Sequence, residues 1–391
     1  MSYSRNLSAD LVWNEQSQSY VYAPSKIYTT YVELHANTYH NCQTITHVDA
    51  ANTPWVNNTM QNAFENCNNL QSVTNINPDV TNMVATFRNC SKLTAAPTLP
   101  TSVVELTSTF YGCSNITTMP TIPNSVQNMS STFCNCHNIT SSKDLPNTVT
   151  DLSGTFENCY NLTGYINIPN SVKYSLYKTF YNCGKLLGVS QIPNSVTSMG
   201  MTFSQCYMLQ SIPDIPDSVT YMYQTFYSCR NLINAPKLPS NIQTLGATFY
   251  QCFNLQNVTI PDSVTNMDMC FGSCYYMKNA PTLPPNLVYA NGVFFQCSDL
   301  TTAPLIPPSV NYMVDCFRGC GNLTGDVIIH SSNIVNAHNC FYNTILTNDV
   351  YIPFKYDNGV NTATYNSFIN AGYNTNGTNC GVYLKDLTSV T

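Results

Sequence analysis

Cysteine is the residue type best placed to do chemistry in this chain, with 18 in 391 residues. Thiols in such number could pair as disulfides, hold a metal or act as nucleophiles. Their spacing argues against all three. Thirteen of them, Cys42, Cys67, Cys90, Cys113, Cys136, Cys159, Cys183, Cys206, Cys229, Cys252, Cys274, Cys297 and Cys320, follow one another at steps of 22 to 25 residues, most often 23. Each stands three positions after an aromatic residue: Tyr39 before Cys42, then Phe64, Phe87, Phe110, Phe133, Phe156, Phe180, Phe203, Phe226, Phe249, Phe271, Phe294 and Phe317. A last pair, Phe341 and Thr344, lacks the thiol. A period held this long marks a repeat solenoid, in which each coil packs on its neighbours.

In a solenoid these thiols form a column, one per coil. Equivalent side chains of neighbouring coils lie roughly 4.8 Å apart and point the same way, whereas a disulfide needs Cβ atoms angled toward each other. Free, buried thiols acting as small hydrophobes are therefore expected. Five cysteines lie off the column: Cys134, Cys270, Cys316, Cys340 and Cys380. Cys270, Cys316 and Cys340 directly precede the repeat Phe, where most coils carry Thr (Thr86, Thr109, Thr132), and read as small buried side chains. His40, Cys42 and His47 fall one short of the four ligands of a structural zinc site, and Cys42 already belongs to the column. His330 and His338 have no acidic partner nearby in sequence and are expected at the surface. No GxSxG, phosphate-binding loop or HExxH occurs, and nothing selects a pair among the 20 acids. The sequence thus predicts no catalytic residue, no metal and no cofactor.

The elements that position the column can be read from one coil, Cys113 to Cys136. Ile116, three after the thiol, matches Leu70, Leu93, Ile139 and Leu162 and points inward. A short extended segment ends at Ile122-Pro123, where proline stops ladder pairing. Asn124-Ser125 supplies side-chain hydrogen bonds for a turn. Val126 and Met129 alternate back to the core, and Ser131-Thr132-Phe133 leads through a helical or 3₁₀ turn to Cys136. Asparagines before the thiol (Asn66, Asn89, Asn135, Asn158, Asn182) are placed to bond along the stack, interrupted at Gly112 and Gly319.

The combined pattern, C-x-x-L, a P-[ND]-S-V turn and x-x-[MI]-x-x-[TA]-F-x-x-C, resembles the BspA-like leucine-rich repeats of bacterial surface proteins, parasitic protists and some bacteriophage genomes. The likeness runs from about Tyr39 to Thr344. It implies a right-handed leucine-rich solenoid with a sheet on one face, used for adhesion or recognition and without catalytic residues. The expected organisation is an N-terminal cap or attachment segment (1–38), the solenoid (39–345) and a C-terminal cap (346–391). Within the caps, Leu11–Trp13, Tyr20–Tyr22, Val350–Phe354 and Val382–Leu384 read as strands, and 362–372 as a short helix.

Only 9% of residues are charged and the net charge is −6, so there is no basic stripe for nucleic acid. No apolar run is long enough to span a bilayer. Aromatic residues do recur outside the core. The site after the repeat Phe carries Tyr111, Tyr181, Tyr227, Tyr250 and Phe295, and the site after the Cys carries Tyr160, Tyr207, Phe253 and Tyr275. Together they predict a convex aromatic ridge, with Tyr181, Tyr207, Tyr227, Tyr250, Phe253 and Tyr275 at its centre and Tyr221, Tyr223 and Tyr276 added to the same stretch. Such rings suit protein or glycan on a host or neighbouring surface; the competing reading is that they cover the seam between turns. The N-terminus lacks the basic-then-apolar pattern of a secretory signal. These features together predict a virion-surface component of a bacteriophage, folded in a cytosol and attached to other virion proteins through its N-terminal segment. A cell-surface adhesin of a bacterium or protist is the alternative, and a solenoid-based enzyme the third reading.

Overall fold

The computed structural model describes residues 11–14, 19–22, 34–50, 55–344, 346, 349–355, 359–373 and 382–389. They fall into two compact units, Met1–Lys173 and Tyr174–Thr391. Cys380 lies outside the described residues. Both units are built from the same coil.

In the first unit the segment Leu106–Cys113 shows how a coil turns. Leu106, Ser108, Phe110 and Gly112 donate their N–H groups to Asn128, Ser130, Thr132 and Cys134 of the next coil at 2.8–3.0 Å. The intervening Thr109, Tyr111 and Cys113 donate to the residue three before, at 3.0–3.1 Å. The turn expected here is thus a run of overlapping four-residue turns, with every second N–H turned outward to the neighbouring coil. A left-handed residue at Ser108 (φ 55°) and another at Gly112 (φ 72°) keep it from closing into a helix. The same two places are left-handed in the coils around it, at Ala85 and Asn89 and at Ser131 and Asn135. That conformation explains Asn and Gly before the thiol, since these types tolerate it best.

Regular strands are short. In the first unit, Ser19–Tyr22 pairs antiparallel with Leu11–Asn14 and parallel with His47–Asp49, which in turn pairs with Ser72–Thr74. A second parallel ladder, at the place eight residues before each thiol, runs as single bridging residues: Thr59, Asn82, Glu105, Asn128 and Asp151. In the second unit Ser175 pairs with Ser198, and Ser198 with Tyr221. Further along, Thr244, Asn266, Tyr289, Tyr312 and Asn336 carry the ladder.

The core is the predicted spine of rings and thiols. Phe64, Phe87, Phe110, Phe133 and Phe156 stack at centroid distances of 5.5–6.0 Å in the first unit. Phe180, Phe203, Phe226, Phe249, Phe271, Phe294, Phe317 and Phe341 stack at 5.4–5.9 Å in the second. The column thiols from Cys67 onward are fully buried beside them. Within each unit they donate to the carbonyl of the aromatic residue one coil earlier, as in Cys67 to Tyr39, Cys90 to Phe64 and Cys229 to Phe203, all at 3.1 Å.

The last coil is closed by Ala363–Asn370, a helix whose N-cap, Thr362, accepts from the N–H of Tyr365. It supplies Phe368, whose ring stacks on Phe341 at 6.1 Å. The Phe341 N–H, which in earlier coils meets the next coil's backbone, donates to the Tyr373 hydroxyl at 3.0 Å. On the sheet side, Val327–Ile328, Asp349–Ile352 and Tyr383–Asp386 pair in parallel. Among the described residues, no helix is long and apolar enough to cross a membrane.

Candidate recognition surface

Most buried polar groups of the coils are already committed; among the described residues the buried side-chain atoms without a partner are Trp55 Nε1, Arg88 Nε and Ser367 Oγ. Thr132 lies with its hydroxyl 2.9 Å from the Leu106 carbonyl of the preceding coil and 2.7 Å from the Met129 carbonyl of its own. Ser125 of the proline turn reaches back to the Val103 carbonyl at 2.6 Å, rather than bonding within its own turn. Burial pushes up the thiols of Cys67 and Cys297, to about 12, and those of Cys136, Cys229 and Cys274 likewise, so they stay protonated and poorly nucleophilic near neutral pH. The side chains flagged for metal binding diverge: His40 faces Glu65 at 3.6 Å, while Cys42 and His47 lie 3.3 and 3.0 Å from the hydroxyls of Thr44 and Thr46. Among the described residues no group of three or more His, Cys, Asp or Glu is placed to hold a metal ion. His330 and His338 are exposed.

The six ridge residues all lie in the second unit, half-buried, in two adjoining columns. Tyr227 and Tyr250 stack at 5.2 Å. In the other column the Arg230 guanidinium sits between Tyr207 and Phe253, 4.7 and 5.0 Å from their centroids, and Phe253 meets Tyr275 at 4.8 Å. Gln205 joins the columns, donating to the Tyr181 hydroxyl at 3.1 Å and accepting from Tyr207 at 3.3 Å. Burial, and then the nearby Tyr250, Tyr181 and Tyr207, hold the Tyr227 hydroxyl above its ordinary range. The predicted ridge is brought together, with many of its ring faces turned on one another and on Arg230. The sequence signal for this was present: Arg230 occupies the post-thiol site between Tyr207 and Phe253, where a cation between two rings is favourable.

Tyr221 and Tyr223 are placed elsewhere. They lie on the parallel ladder, with Tyr174 and Tyr177, as a second and more exposed aromatic group. A further surface feature arises where one coil is a residue short: Leu255 and Ile260 are five apart, against six for Leu232 and Leu238. There a cleft of about 490 Å³ opens among residues including Ala235, Pro236, Leu238, Val258 and Pro261, with no His, Cys, Asp or Glu in its lining.

A family model described as BspA type leucine rich repeat region matches residues 19–140, 129–248 and 247–372. Among solved structures, a leucine-rich repeat protein from Bacteroides ovatus is similar at 23% identity and a TM-score of 0.58, covering 76% of this chain and 82% of its own. A leucine-rich cell surface protein from Faecalibacterium prausnitzii is 22% identical over the same shares, with a TM-score of 0.45. One from Eubacterium ventriosum is 18% identical over 84% of each chain, with a TM-score of 0.47. A search of curated proteins gave no match.

Proposed function

Because the chain belongs to the BspA-type leucine-rich repeat family, we propose that it is a non-enzymatic recognition protein that presents the outward faces of its coils to a protein or glycan. Such repeats are typically non-enzymatic and generally mediate protein binding. The observation that carries this reading is the division of labour within each coil. Phe, Cys, Leu, Val and Met fill the core, and the buried Ser, Thr and Cys donors are used between coils. What varies from coil to coil faces outward, and in the second unit it is rich in tyrosine.

The finer reading is a virion-surface component of a bacteriophage. Thiols buried and hydrogen-bonded to backbone carbonyls suit folding in a reducing cytosol, and a charge-poor surface is tolerated where the protein is held in an assembly. Immunogold electron microscopy of the native source with antibody to the chain tests it. Gold on particles is expected; gold on cell envelopes favours the adhesin, and diffuse cytoplasmic gold overturns both. Intact mass with and without reductant gives a second readout, since extensive disulfides in the native protein point to oxidative export.

A further inference from the structure

We propose that Tyr174, Tyr177, Tyr221 and Tyr223 form a binding platform for a neutral oligosaccharide on the parallel ladder of the second unit. The proposal rests on the recognition reading above and names the ligand class and its place.

Three observations converge on these rings. The first is an alternation visible only when coils are aligned: one outward position reads Tyr177, Gly200, Tyr223, Gly246 in successive coils. The glycines make room for rings. A Cβ on Gly200 would lie 2.7 Å from Tyr221 Cε1 and 3.4 Å from Tyr177 Cδ2, and one on Gly246 would lie 3.3 Å from Tyr223 Cδ2. Tyrosine rings thus lie against bare backbone and remain accessible, Tyr177 at 44%, Tyr221 at 45% and Tyr223 at 41% exposure. Tyr177 and Tyr223 are two coils apart, roughly 10 Å, with Tyr221 against the coil between them.

The second observation is Tyr174. It is an extra residue: Val172 and Leu176 are four apart, where Val126 and Met129 are three. It forms a bulge, pairing with Val196 while Ser175 pairs with Ser198. Its φ is 65°, costly for an aromatic residue, and its side chain is 72% exposed. Bulges re-aim side chains beside functional sites, and strain of this kind persists where it serves one. This ring gains no burial in return for its strain; it is offered to solvent.

The third is charge. The ladder segments that carry the platform, 174–178, 196–201, 219–224 and 242–247, contain no Asp, Glu or Arg. Their one cation, Lys178, lies 5.8 Å from the Tyr177 ring centroid and 5.0 Å from that of Tyr181, and outside them the exposed Lys173 directly precedes Tyr174 in the chain. The first unit, by contrast, carries Glu105 and Asp151 on its ladder. A charged ligand finds little to pair with, while Ser198, Thr220 and Gln224 offer hydroxyl and amide groups beside the rings. Flat aromatic faces that stack on sugar C–H groups, bordered by uncharged hydrogen-bonding groups, match a neutral saccharide. They do not match a sulfated or sialylated one.

The full chain is applied to an array of immobilised neutral, sialylated and sulfated oligosaccharides. Binding to at least one neutral glycan is expected, weakened tenfold or more by Tyr177→Ala with Tyr221→Ala and by Gly200→Ala, and unchanged by Tyr165→Ala, an exposed tyrosine of the first unit. Tyr174→Gly guards against a folding artefact: glycine relieves the positive φ, so the thermal midpoint is expected to hold or rise while glycan binding falls. Binding confined to acidic glycans, or binding that survives the platform variants, overturns the proposal. A blank array beside capture of a host protein sinks the glycan platform and leaves the recognition reading standing. A blank array with no attachment to host cells or particles sinks both.

Discussion

The residue that began as the most reactive in the chain turns out to be a hydrogen-bond donor. Within each unit, buried column thiols spend their protons on the carbonyl of the previous repeat Phe, as Cys113 does on Phe87 and Cys252 on Phe226, both at 3.0 Å. Burial then makes ionisation expensive, which ties stability to alkaline pH. The ordinary value for the Cys297 thiol is 9.0 and its folded value is about 12. Below pH 9 the folded and unfolded chains hold the same protons and this thiol adds no pH dependence. Between 9 and 12 the unfolded chain has released its proton while the folded chain keeps it, so stability falls as pH rises. The slope is about 1.4 kcal/mol per pH unit for one such thiol, and the raised thiols of the column add to one another. The thermal midpoint, followed by circular dichroism, is expected to be level from pH 7 to 8.5 and to drop steeply above about pH 9. Cys206→Ala, Cys229→Ala and Cys252→Ala in combination should shallow that drop. A profile level to pH 10.5 would contradict the buried-donor account.

Among the elements, the C-terminal helix and the residue Tyr373 after it do chemically what the next coil would have done. Tyr373 accepts the Phe341 N–H and Phe368 continues the ring stack. Tyr373→Phe keeps the ring but strands a buried N–H, at a cost of about 1–3 kcal/mol. Hydrogen exchange at Phe341 should accelerate in that variant while exchange at Phe226 stays slow; equal protection at Phe341 would show that the hydroxyl does not close the array. Much of this was legible in the sequence. The period-23 Phe, Cys, Leu and Val positions mark the core because a stacked coil repeats its inward residues. The form of the turns was not legible, because their left-handed places are filled by Ala85, Lys178, Met201 and Gln224 as readily as by Asn or Gly, so inter-coil bonding overrides local preference. The exposed platform was missed for another reason. Tyr221 and Tyr223 read as part of one aromatic stretch along the chain, and only the ladder register separates them from Tyr227 and Tyr250.

For the molecule as a whole, bonding to immediate neighbours makes a coil the unit of stability. Removing residues 275–297, one full period that joins Cys274 to Ser298, should leave a soluble protein with a cooperative thermal transition, because each surviving coil meets an equivalent face. Removing residues 275–285 shifts every later ring and thiol out of register and should yield an aggregated or unfolded product. Comparable solubility and melting for the two deletions would refute the coil as the unit. The direction of the side-chain donors adds a temporal meaning to this arrangement. Ser125, Thr132 and Cys136 all bond to carbonyls of the coil that precedes them in the chain, as do Ser218, Thr225 and Cys229. As the polypeptide leaves the ribosome, each emerging coil brings its own hydroxyls and thiol to acceptors already set in place. The array is thereby suited to being laid down like courses of masonry, each secured to the one below before the next arrives.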